Sequence, residues 1–464
     1  MHIKKIWFVK FAKLIAVFCL MLFVSCRSIP TTVPNMALRQ SHSIQLDDAR
    51  GPLTAKQSKA ILDRLKKNSA DTPILERHLA LEAEIAGSPL VMGNQVKLLI
   101  DGPRTYGAMY SAIENAKDHI NMETFDIEDD EIGRYFSELL IRKQKSGVQV
   151  NLIYDSFGSI YTPIDFFKPL KESGINVLEF NPINPLMLQK DWQVTARDHR
   201  KLLIVDGQVA FVGGINISSV YSRGSFSRSK PSEDNPPWRD THLRIAGPVV
   251  SDFQKLFMAT WQEQKGEPLA ARNYFPELVS NGNEVVRAIG SSPEDPYNPI
   301  YVTLLSVINS AKNQIFLTNA YFVPDPKLLN ALKEAAQRGV DVRLLLPERT
   351  DSTMVYYASR SYYEELLGAN VKIYERQDAL LHAKTALIDG VWSTIGSTNL
   401  DWRSFLNNQE INAIILGADF GAQMQALFDK DLESSKLVIL EEWRKRSIGT
   451  RIKERAARLW ANWL

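Results

Sequence analysis

Residues 378–412 read DALLHAKTALIDGVWSTIGSTNLDWRSFLNNQEIN. Within this stretch stand His382, Lys384 and Asp389 in the order H-x-K-x4-D, then Gly396, Ser397 and Asn399, and lastly Glu410. Upstream, residues 198–216 read DHRKLLIVDGQVAFVGGIN and repeat the frame with His199, Lys201, Asp206, Gly213, Gly214 and Asn216. The step from histidine to asparagine is 17 positions in both copies. One H-x-K can arise by chance; two with the same downstream frame imply a duplicated unit.

The duplication extends outward from the motifs. AIENAKDHINMETF, with Ile113, Ala116 and Ile120, matches VINSAKNQIFLTNAYF, with Ile308, Ala311 and Ile315. Each reads as a helix leading into a strand. A helix and strand joined at glycine follow in both halves, KSGVQVNLIYD at Gly147 and QRGVDVRLLLP at Gly339, and then SGINVLEF at Gly174 and LGANVKIY at Gly368. Apolar strands alternating with helical patterns imply βαβ units and a largely parallel sheet covered by helices. The expected architecture is α/β: two similar halves packed side by side. The boundaries read as 1–25 leader, 26–90 tether and N-terminal helices, 91–270 first half, 271–440 second half and 441–464 basic amphipathic tail.

In an extended strand residues i and i+2 share a face, so His199 projects with Lys201 and His382 with Lys384. A neutral imidazole can attack phosphorus while an adjacent ammonium holds the phosphate oxygens. A second, protonated imidazole can hand its proton to the departing alcohol. Glu410 and, in the first half, Asp240 are the acids placed to orient the rings. Glu410 lies 11 positions after Asn399, whereas Asp240 lies 24 after Asn216. The additional length, YSRGSFSRSKPSEDNPP, reads as a polar loop at the rim of the site. Gly213, Gly214, Gly396 and Ser397 allow close backbone approach, and Asn216, Asn399 and the Ser397 hydroxyl supply neutral donors. Asp206 and Asp389 complete each motif and are carried with its catalytic residues, yet a D-G step after a strand reads first as a turn. Arg403 is positioned for a second phosphate or for a surface pair. Trp192, Trp238, Trp392 and Trp402 flank the motifs and either line a lipid entrance or pack in the core.

These paired motifs resemble the HKD motifs of the phospholipase D superfamily, and the RSFLNNQEIN tail is most similar to the cardiolipin synthase branch. There the second motif continues as R-S-x3-N-x-E-x-N, filled here by Arg403, Ser404, Asn408, Glu410 and Asn412. The resemblance implies that the two motifs meet across the halves, that one histidine, by precedent His199, becomes phosphorylated, and that the other serves as acid and then base. It implies no metal and no cofactor. The expected activity is transfer of a phosphatidyl group to the hydroxyl of a second lipid, with phosphatidylglycerol as substrate. The alternative is a phospholipase D hydrolase, which uses the same residues with water as acceptor.

Composition limits other classes. The chain has 464 residues, 45% hydrophobic and 23% charged, with a net charge of +2. That balance argues against a nuclease reading, which calls for a basic groove, and no nucleic-acid partner is expected. A binding module without catalysis would be expected to have lost a motif histidine or lysine, and all four are present. The two cysteines, Cys19 and Cys26, lie near the N-terminus, so the body holds no disulfide framework and no cysteine-based metal site.

Lys4, Lys5, Lys10 and Lys13 precede an apolar run from Leu14 to Val24, then Ser25 and Cys26. This is the layout of a secretory leader, with FVSC similar to a bacterial lipobox. It departs from the pair of membrane spans typical of the branch. The expectation is a lipid-anchored envelope protein facing the periplasm, lipidated at Cys26, with an uncleaved membrane anchor and a structural N-terminal helix as the alternatives. The C-terminal EEWRKRSIGTRIKERAARLWANWL mixes seven Lys or Arg after Glu442 with tryptophan and leucine. It suits either an anionic bilayer surface or packing on the body. Oligomeric state is not legible in the sequence.

Overall fold

The computed structural model describes residues 29, 44–67, 72–183, 195–222 and 236–464. The leader, Cys26, Trp192 and most of the rim loop before Trp238 lie outside the described residues.

The first half contributes seven strands: β1 (Leu90–Ile100), β2 (His119–Thr124), β3 (Gln149–Asp155), β4 (Asn176–Phe180), β5 (Lys201–Val205), β6 (Val209–Gly213) and β7 (Thr241–Ala246). The second contributes seven more: β8 (Glu284–Ser291), β9 (Gln314–Asn319), β10 (Asp341–Pro347), β11 (Lys372–Arg376), β12 (Lys384–Ile388), β13 (Trp392–Gly396) and β14 (Asn408–Leu416). They pair in the order β4-β3-β2-β5-β6-β7-β1-β8-β14-β13-β12-β9-β10-β11. Among these fourteen, each strand of the first half has its counterpart at the mirrored place in the second, and Ser435–Leu437 adds an antiparallel edge strand beside β11 alone. The halves join where β1 meets β8, with Asn94 opposite Glu284 and Val91 opposite Val286.

The parallel arrangement expected from the βαβ pattern is confined to β2-β3-β4 and β9-β10-β11. The remaining pairings among these fourteen strands are antiparallel, which corrects the mostly parallel expectation; two short segments outside the set, Leu46–Asp48 and Arg197–Asp198, add parallel contacts to β1 and β14. The reason is local. Each motif strand ends at a D-G turn, Asp206-Gly207 and Asp389-Gly390, with both residues at positive φ. A turn that short returns the chain as an antiparallel neighbour, whereas a parallel neighbour needs a crossover.

The crossover helices are set by ordinary capping. Asp130 accepts from the Ile132 and Gly133 amides at the head of Glu131–Lys145. Asp325 does the same for Lys327 and Leu328 ahead of Pro326–Gln337, which has proline in its first turn. Both caps stand after the carboxyl ends of parallel strands, the end at which open α/β sheets collect functional groups.

One hydrophobic cluster belongs to the first half, and a second to the outer face of the second half. A third is shared, with Phe253 and Phe257 of the helix Val250–Glu263 meeting Val286, Ile411 and Phe420. The part of the tether that is described is packed: Leu46, Leu53, Leu62 and Ile74 are buried in the second half's core. Leu62 is on the buried face of the helix Ala55–Lys67, whereas Leu46 and Leu53 stand singly among polar residues, a context that concealed their burial. Behind them His78 and Arg287 pair with fully buried Glu82 at 2.7 and 3.3 Å, and the Trp392 indole donates to Glu82 at 3.1 Å. No helix among the described residues is long and apolar enough to cross a membrane.

Candidate active site

Each motif histidine stands two residues before its strand, and its position is fixed by the opposite half. Arg197–Asp198 pairs in parallel with Asn408 and Gln409, and Trp238–Arg239 pairs in parallel with Leu380 and Leu381. The His199 amide donates to Gln409 O at 3.0 Å, and the His382 amide donates to Arg239 O at 2.8 Å. The two halves thus exchange short strand pairs on both sides of the seam. The lysines follow at the strand starts, where Lys201 faces Thr124 and Lys384 faces Asn319, at the carboxyl ends of β2 and β9.

The carboxylates are also exchanged. His199 Nδ1 lies 3.0 Å from both Oε1 and Oε2 of Glu410, and His382 Nδ1 lies 2.7 Å from Asp240 Oδ2. In each pair histidine and acid come from different halves. Glu410 is fully buried, and it also accepts from the Ser397 hydroxyl and, at 3.3 Å, from Asn408 Nδ2. Gly214 occupies the place of Ser397 in the first half. A Cβ there would stand 2.2 Å from Asp240 Oδ1, so only glycine leaves room for the shorter acid, whose carboxylate sits close to the backbone. At Gly396 a Cβ would meet Asn412 Oδ1 at 2.0 Å.

Burial sets the protonation states. It lowers His199 to about 4, with Lys201 acting in the same direction and the Glu410 carboxylate opposing. His382 is also lowered by burial, then by Lys384, against the pull of Asp240. Burial takes Lys201 to about 7 and Lys384 to about 8, with Glu410 and Asp240 opposing in both. The Lys384 charge contributes to the lowering of Lys201, so the two motifs share one electrostatic field. Burial acts to raise Glu410, yet His199 overrides it and holds the acid at about 2. Asp240 is likewise held low against burial by the hydrogen bond from His382. With each Nδ1 engaged by a carboxylate, Nε2 is the nitrogen left for chemistry. Asn216 and Asn399 each keep a buried carboxamide oxygen without a protein partner. The Lys201 and Lys384 ammonium groups give the centre the positive charge that suits a phosphate. Among the described residues no group of three or more His, Cys, Asp or Glu is placed to hold a metal ion.

Asp206 and Asp389, carried in the motif as catalytic, stand elsewhere. Asp206 accepts from the amides of Lys117, Asp118 and His119, and Asp389 from those of Lys312, Asn313 and Gln314. Their carboxylates tie the motif turns to the starts of β2 and β9, so they hold the strands and do not reach the reacting groups. Of the tryptophans, Trp238 packs 5.2 Å from the His382 ring, while Trp392 and Trp402 are buried in the second half's core. Arg403 lies over the Phe157 ring at 5.3 Å and donates its amide to Leu464 O at 2.9 Å.

Several neighbours carry no sequence signal. The Tyr221 hydroxyl lies 3.1 Å from His382 Nδ1, and Phe125 packs edge-on to His199 at 5.0 Å, with Lys201 Nζ 4.9 Å over its face. Arg200 reaches Glu410 O at 3.2 Å and Thr260 Oγ1 at 2.7 Å. Behind His382, Arg239 makes two 2.9 Å bonds to Asp431, which also pairs with Arg376 at 2.6 Å. This buried ion cluster is a second tie between the halves.

A family model described as cardiolipin synthase, PLD-like domain, matches twice, over residues 109–226 and 304–432, one match per motif. The cardiolipin synthase of Geobacillus kaustophilus (strain HTA426) is 36% identical over 383 residues, 82% of this chain and 74% of that protein. Cardiolipin synthase 1 of Bacillus anthracis is 36% identical over 402 residues, 84% of this chain and 77% of that protein. Among solved structures, the phosphatidylserine synthase of Haemophilus influenzae Rd KW20 superimposes with a TM-score of 0.60 at 14% identity, covering 88% of this chain and 100% of that one, a likeness of fold.

Proposed function

Because this chain belongs to the cardiolipin synthase, phospholipase D-like domain family, we propose that it joins two phosphatidylglycerol molecules into cardiolipin through a phosphohistidine on His199. It is a phosphatidyltransferase, and the crossed His199–Glu410 and His382–Asp240 pairs are the observation that carries the mechanism. His199, neutral at physiological pH and tied through Nδ1, attacks the donor phosphorus with Nε2. As the P–N bond forms, the P–O bond to the glycerol headgroup breaks, and its oxygen takes a proton from His382. Lys201, Lys384, Asn216 and Asn399 stabilise the charge on the non-bridging oxygens. In the second step a headgroup hydroxyl of the acceptor lipid gives its proton to His382 and attacks phosphorus, and the P–N bond returns its electrons to His199. The products are cardiolipin and glycerol.

The nucleophile assignment is supported by protonation: His199 falls to about 4, so it is uncharged at pH 7. His382, held by Asp240 and facing an incoming anion, is the ring better suited to carry a proton. The reading places the enzyme at a membrane, with Cys26 as its proposed anchor. Mass analysis of the N-terminus from native membranes tests the anchor, since an unmodified Met1 would refute it. Incubation with headgroup-labelled phosphatidylglycerol tests the activity. Cardiolipin with free glycerol is the expected outcome, and phosphatidic acid as the main product would establish the hydrolase instead.

A further inference from the structure

Two exposed apolar patches frame the mouth of the site. The first is the loop after β3. Phe157 and Ile160 are exposed there, and Tyr161 and Ile164 reach 95% and 77% exposure. This loop starts one hydrogen bond from the first motif, since Asp155 accepts from the Phe157 amide through Oδ1 and from the Asp198 amide through Oδ2.

The second patch is the helix Ile448–Leu459 with the turn Ala461–Trp463, which buries only Glu454, Ala457 and Ala461 against the body and leaves its larger apolar side chains outside. Glu454, 2% exposed, pairs with Arg446 at 2.8 Å, and Arg458 pairs with Glu365 at 2.7 Å. Ile448, Ile452 and Leu459 are 76%, 62% and 84% exposed, and their spacing puts them on one stripe that Trp463 extends. A surface helix ordinarily turns such a stripe toward the core. Exposed Lys445, Lys453 and Arg455 stand among these apolar side chains.

The patches adjoin through Arg403, whose amide donates to the terminal Leu464 carbonyl and whose guanidinium covers the Phe157 ring. We propose that they form one surface that seats the mouth of the site on an anionic phospholipid bilayer. In this arrangement Tyr161, Ile164, Leu459 and Trp463 enter the interfacial layer, and the lysines and arginines meet the headgroups. The occupant is argued from charge: apolar side chains interleaved with unburied cations match an anionic lipid interface, where a dry protein contact would leave those cations desolvated. The proposal rests on the reading of the enzyme as acting on phospholipids, and it adds which face meets them.

The test uses the full-length protein in vesicles of phosphatidylglycerol and phosphatidylcholine. A polarity-sensitive thiol probe is placed at Tyr161→Cys, Leu459→Cys or Gln208→Cys, with the parent protein as labelling blank. Gln208, in the D-G turn at the opposite end of the strands, is the control. Emission from positions 161 and 459 is expected to shift to the blue and to be quenched by spin-labelled acyl chains, and that from 208 to stay aqueous. Aqueous emission from 161 and 459 in vesicles would overturn the proposal. So would a blue shift that appears without vesicles as protein concentration rises, which would identify a second copy as the occupant.

Activity supplies the second arm. Ile452→Glu combined with Leu459→Glu is expected to cut transfer on vesicles by at least about tenfold while changing turnover of monomeric short-chain phosphatidylglycerol by less than about twofold. Equal losses on both substrates would overturn docking. Bilayer-buried probes at 161 and 459, together with a parent protein that makes no cardiolipin, would overturn the proposed function and leave the surface standing.

Discussion

Replacing Glu410 by Gln tests the crossed pairing most directly. Glutamine preserves volume and can still accept from His199 Nδ1, so what is removed is the charge. In the wild type that carboxylate faces His199 at 3.0 Å, is fully buried, and is held at about 2, so it is ionised throughout the working range. Positive charge grows on the imidazole as Nε2 bonds to phosphorus, and a charge-assisted hydrogen bond opposite it is worth roughly 1.5–3 kcal/mol. At about 1.4 kcal/mol per decade, adduct formation should slow between about tenfold and about 150-fold. The Gln amide must also face the Ser397 hydroxyl or Asn408 Nδ2, both of which donate to Glu410, so the upper part of that range is the more relevant. The assay is rapid-quench trapping of labelled phosphatidyl-enzyme under single-turnover conditions, with a thermal melt to verify the fold. A slowing of less than about threefold, or one confined to resolution of the adduct, would show that Glu410 does not serve the nucleophile.

His199→Ala should abolish the trapped adduct, whereas His382→Ala should form one slowly from phosphatidylglycerol and readily from a p-nitrophenyl ester, whose leaving group needs no proton; an adduct recovered on His382 of the wild type would reverse the roles. Lys201 and Lys384 lie near 7 and 8 in the free enzyme, and a bound anion favours their charged forms, so inorganic phosphate should bind with net proton uptake near pH 8 and more weakly as pH rises. Calorimetry in buffers of different ionisation enthalpy measures this, and proton release would contradict the assigned states. Asp389→Ala leaves three amides without their acceptor and should cost about 3 kcal/mol in denaturant unfolding; a change below about 0.5 kcal/mol would remove the structural role given to the motif aspartates.

The duplicated frame was legible because each residue of the motif is demanded locally: an alternating strand delivers the histidine and lysine, and a D-G turn closes it. Asp240 could be matched to Glu410 from its place in the frame, despite the longer loop before it. The exchange itself was not legible. Which ring a given acid faces is decided by how the halves dock, and no spacing within one half encodes that. Tyr221 and Phe125 were missed because a single aromatic residue in an apolar context carries no pattern. The antiparallel pairing of β5 with β2 was hidden for a different reason: an apolar strand buried on both faces reads the same in either direction.

The exchange also governs when the enzyme can first act. While the chain is being synthesised, the first half emerges with His199 and Lys201 but without Glu410, and with Asp240 but no histidine to orient. A nascent chain therefore lacks the assembled site until residue 410 has folded into the seam. Proteolysis between the halves would have the same effect in reverse, since a released fragment carries one ring and the wrong acid. Catalytic competence is in this sense a signal that the whole polypeptide is present and assembled.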